Sequence, residues 1–91
     1  MFLPLKGFRI LAVEQFGAGP YGSMYLADMG AEVIKIENKS SGGDAARNTG
    51  TKIGENDSTY FQAFNLNKKS ITLDLKSIEG KNIFKYLVAG S

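Results

Sequence analysis

The sequence predicts an α/β fold in which parallel strands are joined by crossover helices. Three observations carry that prediction. An apolar, β-compatible segment, Arg9-Ile-Leu-Ala-Val13, runs into a glycine-rich turn, Gly17-Ala-Gly-Pro-Tyr-Gly22, and then into a helical pattern. A second strand pattern, Glu32-Val-Ile-Lys-Ile-Glu37, follows that helix. A third, Ser70-Ile-Thr-Leu-Asp74, precedes another helical stretch. Two strands joined through a helix read as a parallel pair with a right-handed crossover.

Each element has its own local reason. Arg9 to Val13 lacks polar alternation, as a strand covered on both faces requires. Pro20 suits a first helical turn, where its missing N–H would go unbonded anyway. From Tyr21 onward, Met24, Tyr25, Leu26 and Met29 are expected to form the packed helical face. Gly30 is expected to stop the helix in a left-handed conformation. Asn38 to Asp57 contains Ser40-Ser-Gly-Gly-Asp44, Gly50 and Gly54 with little periodicity, and is predicted to be a long loop. Loops of that length in compact domains are commonly functional or mobile.

Ser58 is predicted to cap a short helix over Thr59-Tyr-Phe-Gln-Ala-Phe64. Asn65 to Lys69 reads as a polar turn. Ser77 is predicted to cap a last helix whose apolar face is Ile83, Phe84, Leu87 and Val88. A three-stranded sheet leaves an open edge. The expectation is therefore the start of a larger domain, with a complete mini-domain as the alternative.

Composition excludes several classes. The 91 residues make one small domain, below the common size of a doubly wound α/β domain. With no cysteine and no histidine, disulfides, thiolate metal sites and imidazole acid/base chemistry are all ruled out, and no metal is expected. A net charge of +2 is not the basic excess of a nucleic-acid binder. No apolar run approaches a membrane span, and Met1 to Gly7 is too short and polar for a signal peptide. The expected setting is cytoplasmic, with no membrane or nucleic-acid partner.

Gly17, Gly19 and Gly22 match the dinucleotide fingerprint G-x-G-x-x-G, and Glu37 ends the next strand where a ribose-binding acid would sit. Pro20 argues against that reading. It removes one of the amides that would face a pyrophosphate, and its ring crowds the approach. Glu37 can equally be a strand-end carboxylate facing solvent or an inward-facing lysine. Asp44 and Arg47 can pair to order the long loop, or meet a ligand. Asp28 reads as an outward polar residue or a helix-to-loop hydrogen bond. Lys68 and Lys69 read as surface charge, and Tyr60, Phe61 and Phe64 as core more than as an adenine platform.

An ordered set of segments adds a resemblance. Pro4-Leu-Lys-Gly7 precedes the first strand, and Ala18-Gly-Pro20 makes the turn. Leu26-Ala-Asp-Met-Gly-Ala-Glu-Val-Ile-Lys-Ile-Glu37 links helix to strand. Gly43-Asp44 and Arg47 lie in the loop. Tyr60-Phe61 and Asn65-Leu-Asn-Lys-Lys-Ser70 precede Leu73-Asp-Leu-Lys76, and Glu79-Gly80 opens the last helix. From Pro4 to Ala89 the chain resembles the N-terminal part of the class III CoA-transferase family, the group of formyl-CoA transferase, carnitine CoA-transferase and alpha-methylacyl-CoA racemase.

The resemblance implies a Rossmann-like three-layer domain of which residues 1–91 are the N-terminal, CoA-binding segment. It implies coenzyme A or acyl-CoA as substrate, a carboxylic acid as acceptor, and an interlocked homodimer at full length. In the transferases an aspartate attacks the acyl-CoA thioester to give a mixed anhydride and then an aspartyl-CoA thioester. That aspartate lies beyond Ser91, so no catalytic residue is expected in this chain. An acyl-CoA racemase of the same family, a non-catalytic truncated or split fragment, and a dinucleotide-binding oxidoreductase segment are the alternatives.

Three CoA contacts of the family fall on this chain. The first is the turn at Gly17 and Ala18, where formyl-CoA transferase has a glutamine in place of Gly17, leaving only backbone here. The second is Asn38, where arginine is common in the family and Lys39 could substitute. The third is Leu73, Asp74, Leu75 and Lys76, with Lys76 as a phosphate partner for the ADP part of CoA or a solvated lysine at a helix start.

Overall fold

A computed structural model describes residues 2–91. Strands β1 (Arg9–Val13), β2 (Glu32–Asn38) and β5 (Lys69–Leu73) form one parallel sheet in the order β1-β2-β5. Val13 pairs with Ile36, and Ile36 with Ile71, so the three strands end together on one side. Helix α1 (Ala18–Asp28) connects β1 to β2, and α3 (Ile78–Ala89) follows β5. The α/β class and the parallel pairing are as the sequence predicts. Among the described residues, no helix is long and apolar enough to cross a membrane.

The stretch between Asn38 and Asp57 is more ordered than its glycine content suggests. It contains two short 3-10 turns, Lys39–Ser41 and Ala45–Asn48. Strands β3 (Lys52–Gly54) and β4 (Asp57–Ser58) then close a small antiparallel hairpin. Asn38 and Asp44 start the two turns by accepting hydrogen bonds from the amides of Ser40 and Ala46. These are local side-chain-to-backbone bonds that leave no apolar periodicity to read. Helix α2 (Thr59–Phe64) is capped as expected, with Ser58 Oγ accepting from the Phe61 amide at 3.0 Å.

Helix α1 packs through its small residues. Pro20, Ser23 and Ala27 are buried, while Tyr25 is 50% exposed and Met29 39%. This corrects the predicted face, of which only Met24 and Leu26 are partly covered. Small side chains let the helix lie close on the sheet, where Ala27 joins Ala12, Ala31 and Val33 in the core. The helix ends as expected: Gly30 has φ +105°, its amide bonds to Ala27 O at 3.0 Å, and the Ala31 amide reaches Leu26 O at 3.2 Å. That pair of bonds is the glycine-dependent stop that satisfies the last carbonyls.

Helix α3 differs from expectation too. Ser77 caps it, accepting from the Gly80 amide at 2.9 Å. Its predicted face is only partly covered, with Phe84 and Leu87 half-buried and Ile83 and Val88 exposed. Its close contact is made instead at Gly80, where a Cβ would lie 1.9 Å from the Asp74 carbonyl oxygen.

Candidate functional site

A cavity of about 410 Å³ opens where the three parallel strands end. β1 contributes Val13 and continues into Glu14 and Gln15; β2 contributes Ile36, Glu37 and Asn38. Leu73 and Leu75 enter from the end of β5, and Asp44 from the loop above. The carboxyl edge of an open parallel sheet is where α/β domains place ligands, because successive strands splay apart there and leave a crevice. Four aliphatic side chains wall the cavity: Val13, Ile36, Leu73 and Leu75.

Its three carboxylates are all tied down from behind. Glu37 is 2% exposed. Arg47 grips it through Nε–Oε1 and Nη2–Oε2, each 2.7 Å. The Asp44 amide donates to Oε1 at 2.7 Å, and Ser70 Oγ donates to Oε2. Burial works against the Glu37 charge, but the Arg47, Ser70 and Asp44 hydrogen bonds outweigh it and bring the pKa down to about 2. The Arg47 guanidinium also lies 3.9 Å from the centre of the buried Phe61 ring.

Asp44 Oδ1 accepts from the amides of Phe16 and Ala46, at 3.0 and 2.9 Å. Its Oδ2 lies 2.7 Å from Lys35 Nζ, an ion contact without hydrogen-bond alignment. Lys35 projects from β2 and is 1% exposed. Glu14 Oε2 lies 2.6 Å from Lys68 Nζ and 3.4 Å from Lys35 Nζ, and Oε1 accepts from Ser23 Oγ at 2.6 Å. Burial again opposes ionisation of Glu14 and Asp44. The lysine and hydroxyl bonds of Glu14, and the Lys35 and amide contacts of Asp44, nevertheless hold both carboxyls below their ordinary range. Burial lowers the Lys68 pKa, with Glu14 opposing that shift.

Of the seven residues singled out in the sequence, three belong to this cavity and four do not. Asn38, Leu73 and Leu75 line it. Asn38 Oδ1 is engaged by the Ser40 amide at 3.0 Å and Ser40 Oγ at 2.8 Å. Asp74 and Lys76 are not in the lining. Asp74 Oδ1 accepts from the Lys76 amide at 3.0 Å, which turns the chain toward α3, and Lys76 is exposed. Gly17 and Ala18 also lie outside the lining, at the start of α1. Gly17 is its N-cap residue, no side chain caps the helix, and no acid occupies its first turn. A Cβ on Gly17 would sit 3.0 Å from the Tyr60 hydroxyl.

Several readings of the charged residues change. Arg47 pairs with Glu37, and Asp44 with Lys35, so the expected Asp44–Arg47 pair is not formed. Lys68 is buried with its charge paired, whereas Lys69 is exposed and meets Glu32, as surface charge does. Asp28 does accept a loop hydrogen bond, from Asn67 Nδ2 at 2.7 Å. Phe61 is core, while Tyr60 and Phe64 are half-buried, their ring centres 5.0 Å apart.

The dinucleotide alternative loses its two supports. Gly22 lies inside α1, and nothing stands within 4 Å of where its Cβ would be, so no close helix–strand approach requires a glycine there. Both oxygens of Glu37 are bound within the protein, which leaves none for a ribose. Sequence reasoning missed Glu14, Lys35 and Lys68 as a group. Their available signal was two charged residues in otherwise apolar or β-branched surroundings, Glu14 after β1 and Lys35 inside β2.

The family described as CoA-transferase family III matches residues 5–91. Succinyl-CoA:glutarate CoA-transferase of Mus musculus is 45% identical over 86 residues, which is 94% of this chain and 20% of the relative. Formyl-CoA:oxalate CoA-transferase of Escherichia coli is 40% identical over 88 residues, 97% of this chain and 21% of the relative. The crystal structure of a CAIB/BAIF family protein from Brucella suis superposes with a TM-score of 0.88 at 36% identity, over all of this chain and 25% of that one. The chain thus spans about a fifth of the length of the curated relatives it matches.

Proposed function

The chain belongs to CoA-transferase family III, and from that premise we propose that residues 1–91 are the N-terminal segment of a CoA-binding domain that serves transfer of CoA from an acyl-CoA donor to a carboxylic acid. The single observation that supports it is the cavity at the carboxyl ends of β1, β2 and β5, which gathers Asn38, Leu73 and Leu75. Its aliphatic walls suit the adenosine part of the ligand. Exposed Lys39 and Lys76 follow Asn38 and Leu75 in the chain and can meet phosphate without being buried. The Gly17–Ala18 turn offers backbone amides at an uncapped helix start.

The chemistry follows from the family resemblance. A carboxylate from outside residues 1–91 attacks the thioester carbonyl, the C–S bond breaks, and CoA leaves as thiolate while a mixed anhydride forms. The thiolate attacks the aspartyl carbonyl of that anhydride and releases the donor acid. The acceptor carboxylate then attacks the aspartyl-CoA thioester, expelling CoA thiolate and forming a second mixed anhydride, and the thiolate attacks the acceptor carbonyl of that anhydride, giving the acceptor's CoA thioester and freeing the aspartate. In this reading the 91 residues bind and orient the CoA, the full protein is an interlocked homodimer, and the isolated segment has no transfer activity.

Calorimetric titration of CoA into the protein tests the reading, with Lys76→Ala beside it. Binding that Lys76→Ala weakens about tenfold supports it, as expected for loss of one charge-assisted phosphate contact. Binding of equal strength in the variant removes Lys76 from the site. No binding by the dimeric protein overturns the proposal.

A further inference from the structure

The Lys68 side chain is a buried cation that ties together three separate segments of the chain. Its side chain is 2% exposed. Its ammonium donates to Glu14 Oε2 at 2.6 Å, to the Pro20 carbonyl at 2.8 Å and to Asn65 Oδ1 at 2.9 Å. An ammonium has three donors, so all are used. Glu14 leaves the end of β1, Pro20 sits in the first turn of α1, and Asn65 closes α2 while its Nδ2 holds the Phe61 carbonyl at 2.9 Å.

The Gly17–Ala18 turn therefore hangs between two points, Glu14 and Pro20, that one nitrogen holds together. Ser23 Oγ bridges the same two points more weakly, 2.6 Å from Glu14 Oε1 and 3.3 Å from the Pro20 carbonyl, and the Phe16 amide before the turn donates to Asp44 Oδ1 at 3.0 Å. The turn has no side-chain cap, and the Tyr21 amide bonds to the Gly17 carbonyl at 2.7 Å. Lys68 does not line the cavity. Its cost of burial is met by Glu14 directly, with Asp44 favouring its charge and Lys35 opposing it across the same cluster.

We propose that Lys68 is a positioning residue: its ammonium clamps Glu14 to Pro20 and so sets the Gly17 and Ala18 backbone for a diphosphate-bearing ligand. The inference rests on the CoA reading above, because it is that reading which brings a ligand to the turn. It assigns a role to a residue that touches neither cavity nor ligand. Placement by a rigid contact is worth having because amide donors act on phosphate only over a narrow range of distance and angle.

The test compares Lys68→Met, Lys68→Arg and Lys69→Met in the full protein, by CoA titration and by the amide resonances of Gly17, Ala18 and Gly19. At a temperature where circular dichroism shows each variant folded, Lys68→Met is expected to weaken CoA about tenfold, the scale of a lost charged hydrogen bond. Lys68→Arg restores most of that affinity, Lys69→Met leaves it unchanged, and the three amides shift in Lys68→Met before ligand is added. A purely structural lysine would lower the melting temperature and leave the affinity of the folded protein intact, which overturns the proposal. If the unsubstituted protein binds no CoA, the function reading fails, and the amide shifts alone decide whether Lys68 sets the turn. If Lys68→Met does not fold, Glu14→Gln takes its place, and unmoved Gly17 to Gly19 amides in that variant overturn the inference.

Discussion

Arg47 holds Glu37 through two parallel hydrogen bonds of 2.7 Å each. The pair joins the end of β2 to the second 3-10 turn, so the loop over the cavity is fastened to the sheet by charge. Removing only the cation leaves a buried carboxylate without its partner. Arg47→Met is expected to destabilise the fold by about 3–5 kcal/mol. Glu37→Gln, which keeps shape and acceptor while removing the buried charge, should be milder. Urea unfolding of both variants checks the order; a smaller loss for Arg47→Met would show the pair to be dispensable.

Acid should undo the same contact. The folded-state pKa of Glu37 lies at about 2, below its ordinary 4.5. A depressed carboxylate pKa contributes stability that is fully present above the unfolded value and lost as pH falls through the folded one. The loss therefore runs from about pH 4.5 down to about pH 2, and amounts to about 3 kcal/mol for this group. Glu14 and Asp44 are shifted in the same direction and add to it. Unfolding free energy measured between pH 7 and pH 2 should be level down to about pH 4.5 and fall steadily below it, and a flat profile would contradict the network.

Gly80 marks where α3 meets the turn after β5. A methyl group there would stand 1.9 Å from the Asp74 carbonyl oxygen and 2.7 Å from its carbon. Both are backbone atoms and cannot swing aside. Gly80→Ala should therefore move the start of α3 away from Asp74, despite alanine's better helix propensity. A loss of about 2 kcal/mol or more is expected, on the scale of overpacked sites. An alanine variant at least as stable as the parent would mean that α3 shifts freely.

Salt should separate the phosphate contacts from the apolar ones. Lys39 and Lys76 are exposed, so their attraction for CoA phosphates is screened over a Debye length of about 8 Å at physiological ionic strength. CoA affinity should fall as sodium chloride rises from low to about 0.5 M, and Lys76→Ala should flatten that dependence. An unchanged salt slope in the variant would assign the phosphates to other residues.

The sheet and the helix stops were legible because short-range rules dictate them. Gly30 ends α1 through its left-handed φ, and Ser58 and Ser77 cap their helices through bonds three residues away. The cavity residues Asn38, Leu73 and Leu75 came from the ordered resemblance. The charge network was not legible. Glu14 and Lys68 meet across 54 positions of sequence, and the pairing of Asp44 with Lys35 in place of Arg47 depends on which way β2 turns its side chains. The packed face of α1 was misread for a related reason. Hydrophobic periodicity weights large side chains, whereas close approach to the sheet selects Pro20, Ser23 and Ala27.

Two kinds of cohesion meet along β2. On the side of Val33, the strand is held by Ala12, Ala27 and Ala31, and nothing ionic enters that cluster. Toward its other end, Lys35 and Glu37 anchor a loop that is latched by opposite charges. Urea loosens the first more than the second, while the guanidinium cation competes for the Glu37 and Asp44 carboxylates whenever local opening exposes them. The two denaturants should therefore open the chain in different orders, and hydrogen exchange at Ala46 relative to Val33 would show the latch letting go ahead of the sheet in guanidinium chloride only.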